Sequence, residues 1–257
     1  MIKAAMMKIP GSSFLQEVKV NDHGDVFLYG KAAVTDRRPL ECPIIGTVYG
    51  TLLNFSGELE ALGESMYKAP YEQPPKAPVL YIKPANTLTG HLCPVPIPEG
   101  ERELQTGGAL GIVIGRTASR VNEEEALEYV KGYTVVNDLT IPHSSVHRPA
   151  IVQKCRDSFC PAGPWIIMRQ EVPDPGALSI QVYVNEELKQ ETAMSGLIRP
   201  VQSLIAEVTE FMTLLEGDVL LAGVPGNPPR VKEGDVVKIS ITGVGTLENR
   251  FIKEGEL

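Results

Sequence analysis

The amino-acid sequence predicts an α+β domain in which strands dominate. Three observations predict it: eight short apolar runs of strand length, two stretches with helical patterning, and 24 glycines and 21 prolines spread along the chain. Scattered turn formers between short apolar runs suit a fold that reverses direction often. At 257 residues the chain is long for one compact domain and short for two, so one large domain with an appendage is expected.

The appendage is read in residues 1–45. The opening MIKAAMMKIPGSSF carries a short apolar run that Pro10 ends, which predicts an N-terminal strand. EVKVNDHGDVFLYG then alternates apolar and polar residues on both sides of Asn21-Asp22-His23-Gly24, the chemistry of a hairpin turn. Asp36-Arg37-Arg38-Pro39 reads as a linker, and residues 46–257 as the main domain. Strands are expected there over 79–82, 109–114, 133–137, 165–168, 178–184, 218–222, 236–241 and 250–253. Asn122 followed by Glu125 has capping-box spacing and predicts a helix over 123–131, stopped by Gly132. Pro200 opens a second helix to about Leu215, with Leu204, Ile205, Val208, Phe211 and Met212 on one face.

Charge and cysteine usage exclude several classes. Lys and Arg number 24 against 32 Asp and Glu, a net charge of −8, which argues against nucleic acid or an anionic membrane as main partner. No run approaches the 18 or so apolar residues of a membrane helix, and the N-terminal run is too short for a signal-peptide core. A cytoplasmic protein is therefore expected. Cys42, Cys93, Cys155 and Cys160 form no CxxC pair and are read as reduced, structural thiols.

Five blocks carry a family likeness. They are YIKPANTLTG (81–90), LGIVIGRTASRVNEEEALEYVKGYTVVNDLT (110–140), KCRDSFCPAGPW (154–165), FMTLLEGDVLLAGVP (211–225) and VKEGDVVKISITGVGTLENR (231–250). In this order and spacing the chain resembles the fumarylacetoacetate hydrolase superfamily over about residues 46–253. KCRDSFCP, NDLTIPHSSVHRPA and PPKAPVLYIKP are most similar to the N-terminal-half type of the bifunctional isomerase/decarboxylases of 4-hydroxyphenylacetate (homoprotocatechuate) degradation. The resemblance implies a mixed β-sandwich roll and work on unsaturated 2-oxo or 2-hydroxy heptadienedioate-type diacids. It also implies a divalent cation held by a Glu-x-Glu pair and a later Asp, which would chelate a 2-oxo-carboxylate and stabilise an enolate.

The sequence departs from that ligand set. Asp138 is present, but Gly107 and Ala109 stand where the two glutamates are expected, and neither has a side-chain oxygen. Val224 replaces the usual threonine of the Gly223-Val224-Pro225 block, and Asn54-Phe55-Ser56-Gly57-Glu58 alters the usual His-and-Glu motif. With Asp138 the one remaining ligand, Mg²⁺ or Mn²⁺ is expected to bind weakly. Lys83, Lys154 and Arg148 are candidate carboxylate-binding cations. Their alternative is ion pairing, Lys83 or Lys154 with Asp157 or Asp138. Asp138 and Lys154 are the expected catalytic pair, and Lys83 and Arg148 the expected substrate-binding residues. His143 and His147, four apart, are read as loop residues in preference to ligands, and His23 and His91 as solvated.

Two functions lead, ahead of a weaker third, a small-molecule binding module for dicarboxylates. One is an isomerase/decarboxylase subunit for such diacids, where tautomerisation demands less than carbon–carbon cleavage. The other is a catalytically degenerate partner of an intact paralogue, so that a homodimer and a heterodimer are both expected assemblies.

Overall fold

The structure, a computed structural model, describes residues 1–9, 12, 14–34, 38–69, 72–143 and 150–256. Its organising element is the strand Gly108–Ile114, buried along its whole length. Because side chains alternate across a strand, Leu110, Ile112 and Ile114 face the larger core while Ala109 and Val113 face a smaller apolar layer. This strand sits inside an 11-stranded mixed sheet. On one side it pairs antiparallel with Val130–Asn137, then Cys160–Met168, Ile2–Lys8 and Leu15–Asn21 follow in turn. On the other side come Val219–Leu221, Val48–Leu52 and the edge strand Val79–Lys83, the first two of these parallel to each other.

A second, 5-stranded sheet covers the larger core. It is built around Ser179–Val184, Val236–Ile241 and Gly245–Lys253, whose Ile180, Val182, Val237 and Ile239 share that core with Leu110 and Ile112. The two sheets meet so closely at Gly108 that a Cβ there would lie 2.9 Å from Val182 and 3.0 Å from Ile180. The mostly-β, mixed-sheet architecture expected from the sequence is therefore the one observed. The N-terminal hairpin also forms as expected, with Asn21 Oδ1 accepting from the amides of His23 and Asp25 across the turn. The strand before it, Ile2–Lys8, pairs with Leu15–Asn21 and is hydrogen-bonded into the main sheet alongside Cys160–Met168.

The second expected helix is present as Val201–Phe211, shorter at its C-terminus, with Leu204, Ile205 and Val208 buried; Phe211 is exposed, and Leu214 instead bridges Ala118. The helix expected over 123–131 is a correction. Residues Glu123–Tyr129 form a 3₁₀ segment that runs directly into the strand Val130–Asn137. Asn122 makes no side-chain cap, and Gly132 is a strand residue whose added Cβ would stand 2.0 Å from the Ile167 carbonyl oxygen. Val130, Thr134, Val135 and Val136 are β-branched, and that preference prevails over the acidic helical run before them. His91 is a second correction. It is half-buried, its Nδ1 accepts the Glu248 amide at 3.0 Å, and burial pulls it down to about 4, so it is neutral in the fold. All four cysteines are free.

Candidate active site

The Val130–Asn137 strand ends by delivering Asp138 into the interior. Asn137 pairs with Gly108, and its Oδ1 accepts from Thr106 Oγ1 at 2.9 Å and from the Gly107 amide at 3.0 Å. The Asp138 amide in turn donates to the Gly107 carbonyl at 2.8 Å. This close crossing of two backbones fixes where the Asp138 carboxylate lies.

Three side chains converge on it. Lys83 closes the edge strand, and its Nζ lies 2.8 Å from Asp138 Oδ1 with the side chain wholly buried. Lys154 ends the short helix Ile151–Lys154 and donates to Asp138 Oδ2 at 2.7 Å, with 10% of its side chain exposed. Tyr81 lies two residues before Lys83, hence on the same face of its strand, and its hydroxyl donates to Asp138 Oδ2. The Lys154 ammonium also sits 4.5 Å from the centre of the Tyr81 ring. Gly50, paired with Tyr81 across the strands, makes room for that ring: its added Cβ would fall 2.0 Å from Tyr81 Cζ.

The hydrogen bonds divide the roles of the two lysines. Lys83 Nζ donates to the carbonyls of Leu139 at 2.7 Å, Lys154 at 2.9 Å and Phe159 at 2.9 Å. Those three carbonyls account for its three hydrogens, so its contact with Asp138 Oδ1 is ionic, and Oδ1 itself receives no hydrogen bond. Burial pulls Lys83 down and the Asp138 charge resists that pull. Burial alone pushes the Asp138 carboxyl up, but the Lys154 and Lys83 ammonium groups more than reverse it and hold it well below the usual carboxylate range. With both lysines and Asp138 charged, the cluster carries one net positive charge.

Glu58, which sequence reasoning gave no role, belongs to the same neighbourhood. It sits in the first turn of the helix Ser56–Leu62, where burial pushes its carboxyl up to about 7 against the downward pull of the Phe55, Asn54 and Leu53 amides and of Lys154. Its Oε2 is buried without a hydrogen-bond partner. Tyr81 was missed as well, although strand alternation places it beside Lys83. Arg148 and His147 lie outside the described residues. His143 Nδ1 is 2.9 Å from the Ile141 carbonyl, and Asp157 accepts from Asn86 Nδ2, leaving Asp138 as the partner of both lysines. A cavity of about 580 Å³ lined by Lys3, Arg38, His91, Trp165 and Thr242 includes no member of the Asp138 cluster.

The residues at positions 107 and 109 do not fit the cation that the resemblance implies. An added Cβ on Gly107 would lie 2.7 Å from the Asp138 carbonyl oxygen and 2.9 Å from a Val224 methyl. Ala109 is wholly buried in the layer formed by Val136, Cys160, Leu221 and Val224. A carboxylate at 107 would meet the Asp138 carbonyl oxygen and Val224, and one at 109 would face hydrocarbon. Among the described residues no group of three or more His, Cys, Asp or Glu is placed to hold a metal ion.

The roll of mixed sheets that carries this buried Asp and its two lysines is the fold of a known family. The chain belongs to the fumarylacetoacetate hydrolase family: the model of the fumarylacetoacetate (FAA) hydrolase C-terminal region matches residues 47–252. It is 36% identical over 212 residues to the 4-hydroxyphenylacetate degradation bifunctional isomerase/decarboxylase of Escherichia coli, a match covering 82% of this chain and 48% of that one. The chain thus spans about half the length of that curated relative. The solved structure of 2-hydroxyhepta-2,4-diene-1,7-dioate isomerase from Mycobacterium marinum superposes with a TM-score of 0.77 at 26% identity, covering 100% of both chains. The maleylpyruvate hydrolase of Sphingobium sp. SYK-6 in complex with manganese (II) ion and pyruvate superposes with a TM-score of 0.70 at 26% identity, covering 90% of this chain and 78% of that one. No helix among the described residues is long and apolar enough to cross a membrane.

Proposed function

We propose that this chain is an isomerase subunit that moves a proton between oxygen and carbon in unsaturated 2-hydroxy/2-oxo heptadienedioate-type diacids. The observation that carries the reading is the Asp138 cluster: a carboxylate with 1% side-chain exposure bracketed by two ammonium groups at 2.7 and 2.8 Å, with one net positive charge. A closed, cationic site of this kind favours a dicarboxylate and stabilises negative charge that develops on a substrate oxygen. Lys154 is the cation nearest the surface and would meet the enolate oxygen or a substrate carboxylate, with the Tyr81 hydroxyl beside it. Asp138 holds both in place. Lys83, its hydrogens engaged by three carbonyls, acts through Asp138 by keeping it ionised. Nothing in this scheme draws on a metal, and decarboxylation, which asks for stronger enolate stabilisation, is the lesser activity.

The test is turnover of 2-hydroxyhepta-2,4-diene-1,7-dioate by the purified chain, followed by the loss of dienol absorbance. Wild type is expected to accelerate the reaction and Lys154→Ala to lose most of the acceleration. Equal rates with and without wild-type protein would remove the enzyme reading. A second reading is favoured by the half-length match and by Gly107 and Ala109: a partner subunit that completes an intact paralogue in a heterodimer. It requires that the chain alone be inactive and that mixing with the paralogue restore turnover.

A further inference from the structure

The Asp138 cluster leaves a chemical question open. Moving a proton from oxygen to carbon needs a group that both accepts and releases it near neutral pH. Asp138 is held too low to accept one readily, Lys83 has no free lone pair or free hydrogen, and Tyr81 is raised well above its usual value by burial and by the Asp138 charge. Each is suited to fixing charge and none to carrying a proton back and forth.

We propose that Glu58 is the proton-carrying residue of this site, an inference that rests on the isomerase reading above. Its placement is built. Asn54, wholly buried, donates from Nδ2 to the Ala222 carbonyl at 2.7 Å and to the Arg199 carbonyl at 3.1 Å, and accepts the Arg199 amide at 3.0 Å. Phe55 bridges Leu197, and Gly226 packs so close that its Cβ would lie 3.1 Å from the Gly57 carbonyl oxygen and 3.3 Å from the Glu58 amide. The helix carrying Glu58 is thus pinned at its first turn. Among the described residues, the charged and titratable groups that act on Glu58 are Lys154, from the helix Ile151–Lys154, and Tyr81, from the edge strand; the 223–227 loop packed against it brings none. Oε2 is buried and unpartnered, an acceptor within electrostatic reach of the two groups assigned to the enolate oxygen.

The step balances without a co-reactant. The Glu58 carboxylate takes the enol hydroxyl proton, and the oxygen's electron pair is held as a dienolate by the Lys154 ammonium and the Tyr81 hydroxyl. The pair then forms the C=O bond, the double bonds shift, and the end carbon of the diene takes the same proton back from Glu58. One O–H bond breaks, one C–H bond forms, and the enzyme is unchanged.

The experiment measures kcat and KM for 2-hydroxyhepta-2,4-diene-1,7-dioate across pH 5–9 for wild type, Glu58→Gln and Glu58→Asp. Glu58→Gln is expected to lower kcat by about 10²–10⁴-fold with KM little changed. The ionisation near neutral pH is expected in the wild-type kcat profile, absent from Glu58→Gln and present again in Glu58→Asp. An active wild type with Glu58→Gln within tenfold in kcat and an unaltered pH profile overturns this assignment and leaves the isomerase reading standing. An inactive wild type overturns the isomerase reading and this one with it. If Glu58→Gln does not fold, Glu58→Asp and the wild-type profile decide: a wild-type profile flat through neutrality overturns the proposal.

Discussion

Replacing Asp138 by Asn tests whether the buried cluster is held by charge. The substitution keeps the shape and removes the counter-ion of two ammonium groups, at 2.8 Å from Lys83 and 2.7 Å from Lys154. At an effective dielectric of about 20, each contact represents about 6 kcal/mol of gross attraction, most of it offset by desolvation. What remains exposed by the substitution is the cost of an uncompensated buried charge, about 3–5 kcal/mol. Lys83 bears most of it, because its side chain is wholly buried, whereas Lys154 reaches the surface with 10%. Against a domain stability of about 5–15 kcal/mol that is a large fraction. Urea unfolding at pH 7.5 gives the value. In a double-mutant cycle, Asp138→Asn with Lys83→Met is expected to cost less than the sum of the single changes by about 1–3 kcal/mol. Asp138→Asn within 1 kcal/mol of wild type, or strict additivity in the cycle, would refute the electrostatic account.

Three further outcomes follow from the same contacts. Glu58 is held at about 7 against an ordinary 4.5, so the fold favours its neutral form: stability is fullest below pH 4.5 and declines through pH 7, by at most about 3 kcal/mol. His91, held at about 4 against 6.5, acts oppositely, its contribution present above pH 6.5 and lost as pH falls toward 4. Wild-type stability measured by urea unfolding should therefore be nearly flat from pH 4.5 to 6.5; His91→Asn should leave a falling slope and Glu58→Gln a rising one, and parallel curves for the two variants would contradict the assignment. Gly107→Ala should cost about 1–3 kcal/mol, and Val224→Ala should relieve only part of it, because the Asp138 carbonyl oxygen 2.7 Å away is backbone; a neutral Gly107→Ala in thermal unfolding would show that the space is there.

Much of the sheet was legible because strand residues announce themselves by alternation. Val236–Ile241 has a strict in-and-out burial pattern and begins and ends where the sequence reading placed it. The run before Val130 misled for a physical reason: EEEALEY has good helix formers, but strand pairing of Val130–Asn137 with two neighbours outweighs a local preference worth tenths of a kcal/mol per residue. The glycine and alanine at 107 and 109 were readable as missing ligands. Their consequence was not, since only the fold shows that Val224 and the Asp138 carbonyl occupy the vacated volume. Lys83, Asp138 and Lys154 were each legible as charged residues in strong blocks, yet sequence alone could not say that Asp138 takes both lysines while Asp157 goes to Asn86. Glu58 was legible only as the end of the altered Asn54–Glu58 motif, because its raised carboxyl comes from burial, which no local pattern encodes.

The Asp138 cluster is proposed to work through its own ammonium groups without a chelated cation. Titrating the purified chain into Mn²⁺, with the free-ion electron paramagnetic resonance signal as readout and the Asp138→Asn variant alongside, measures this directly. The two proteins are expected to deplete the signal equally and weakly, and turnover of the dienol should persist in EDTA. Stoichiometric depletion by wild type that disappears in Asp138→Asn would contradict it.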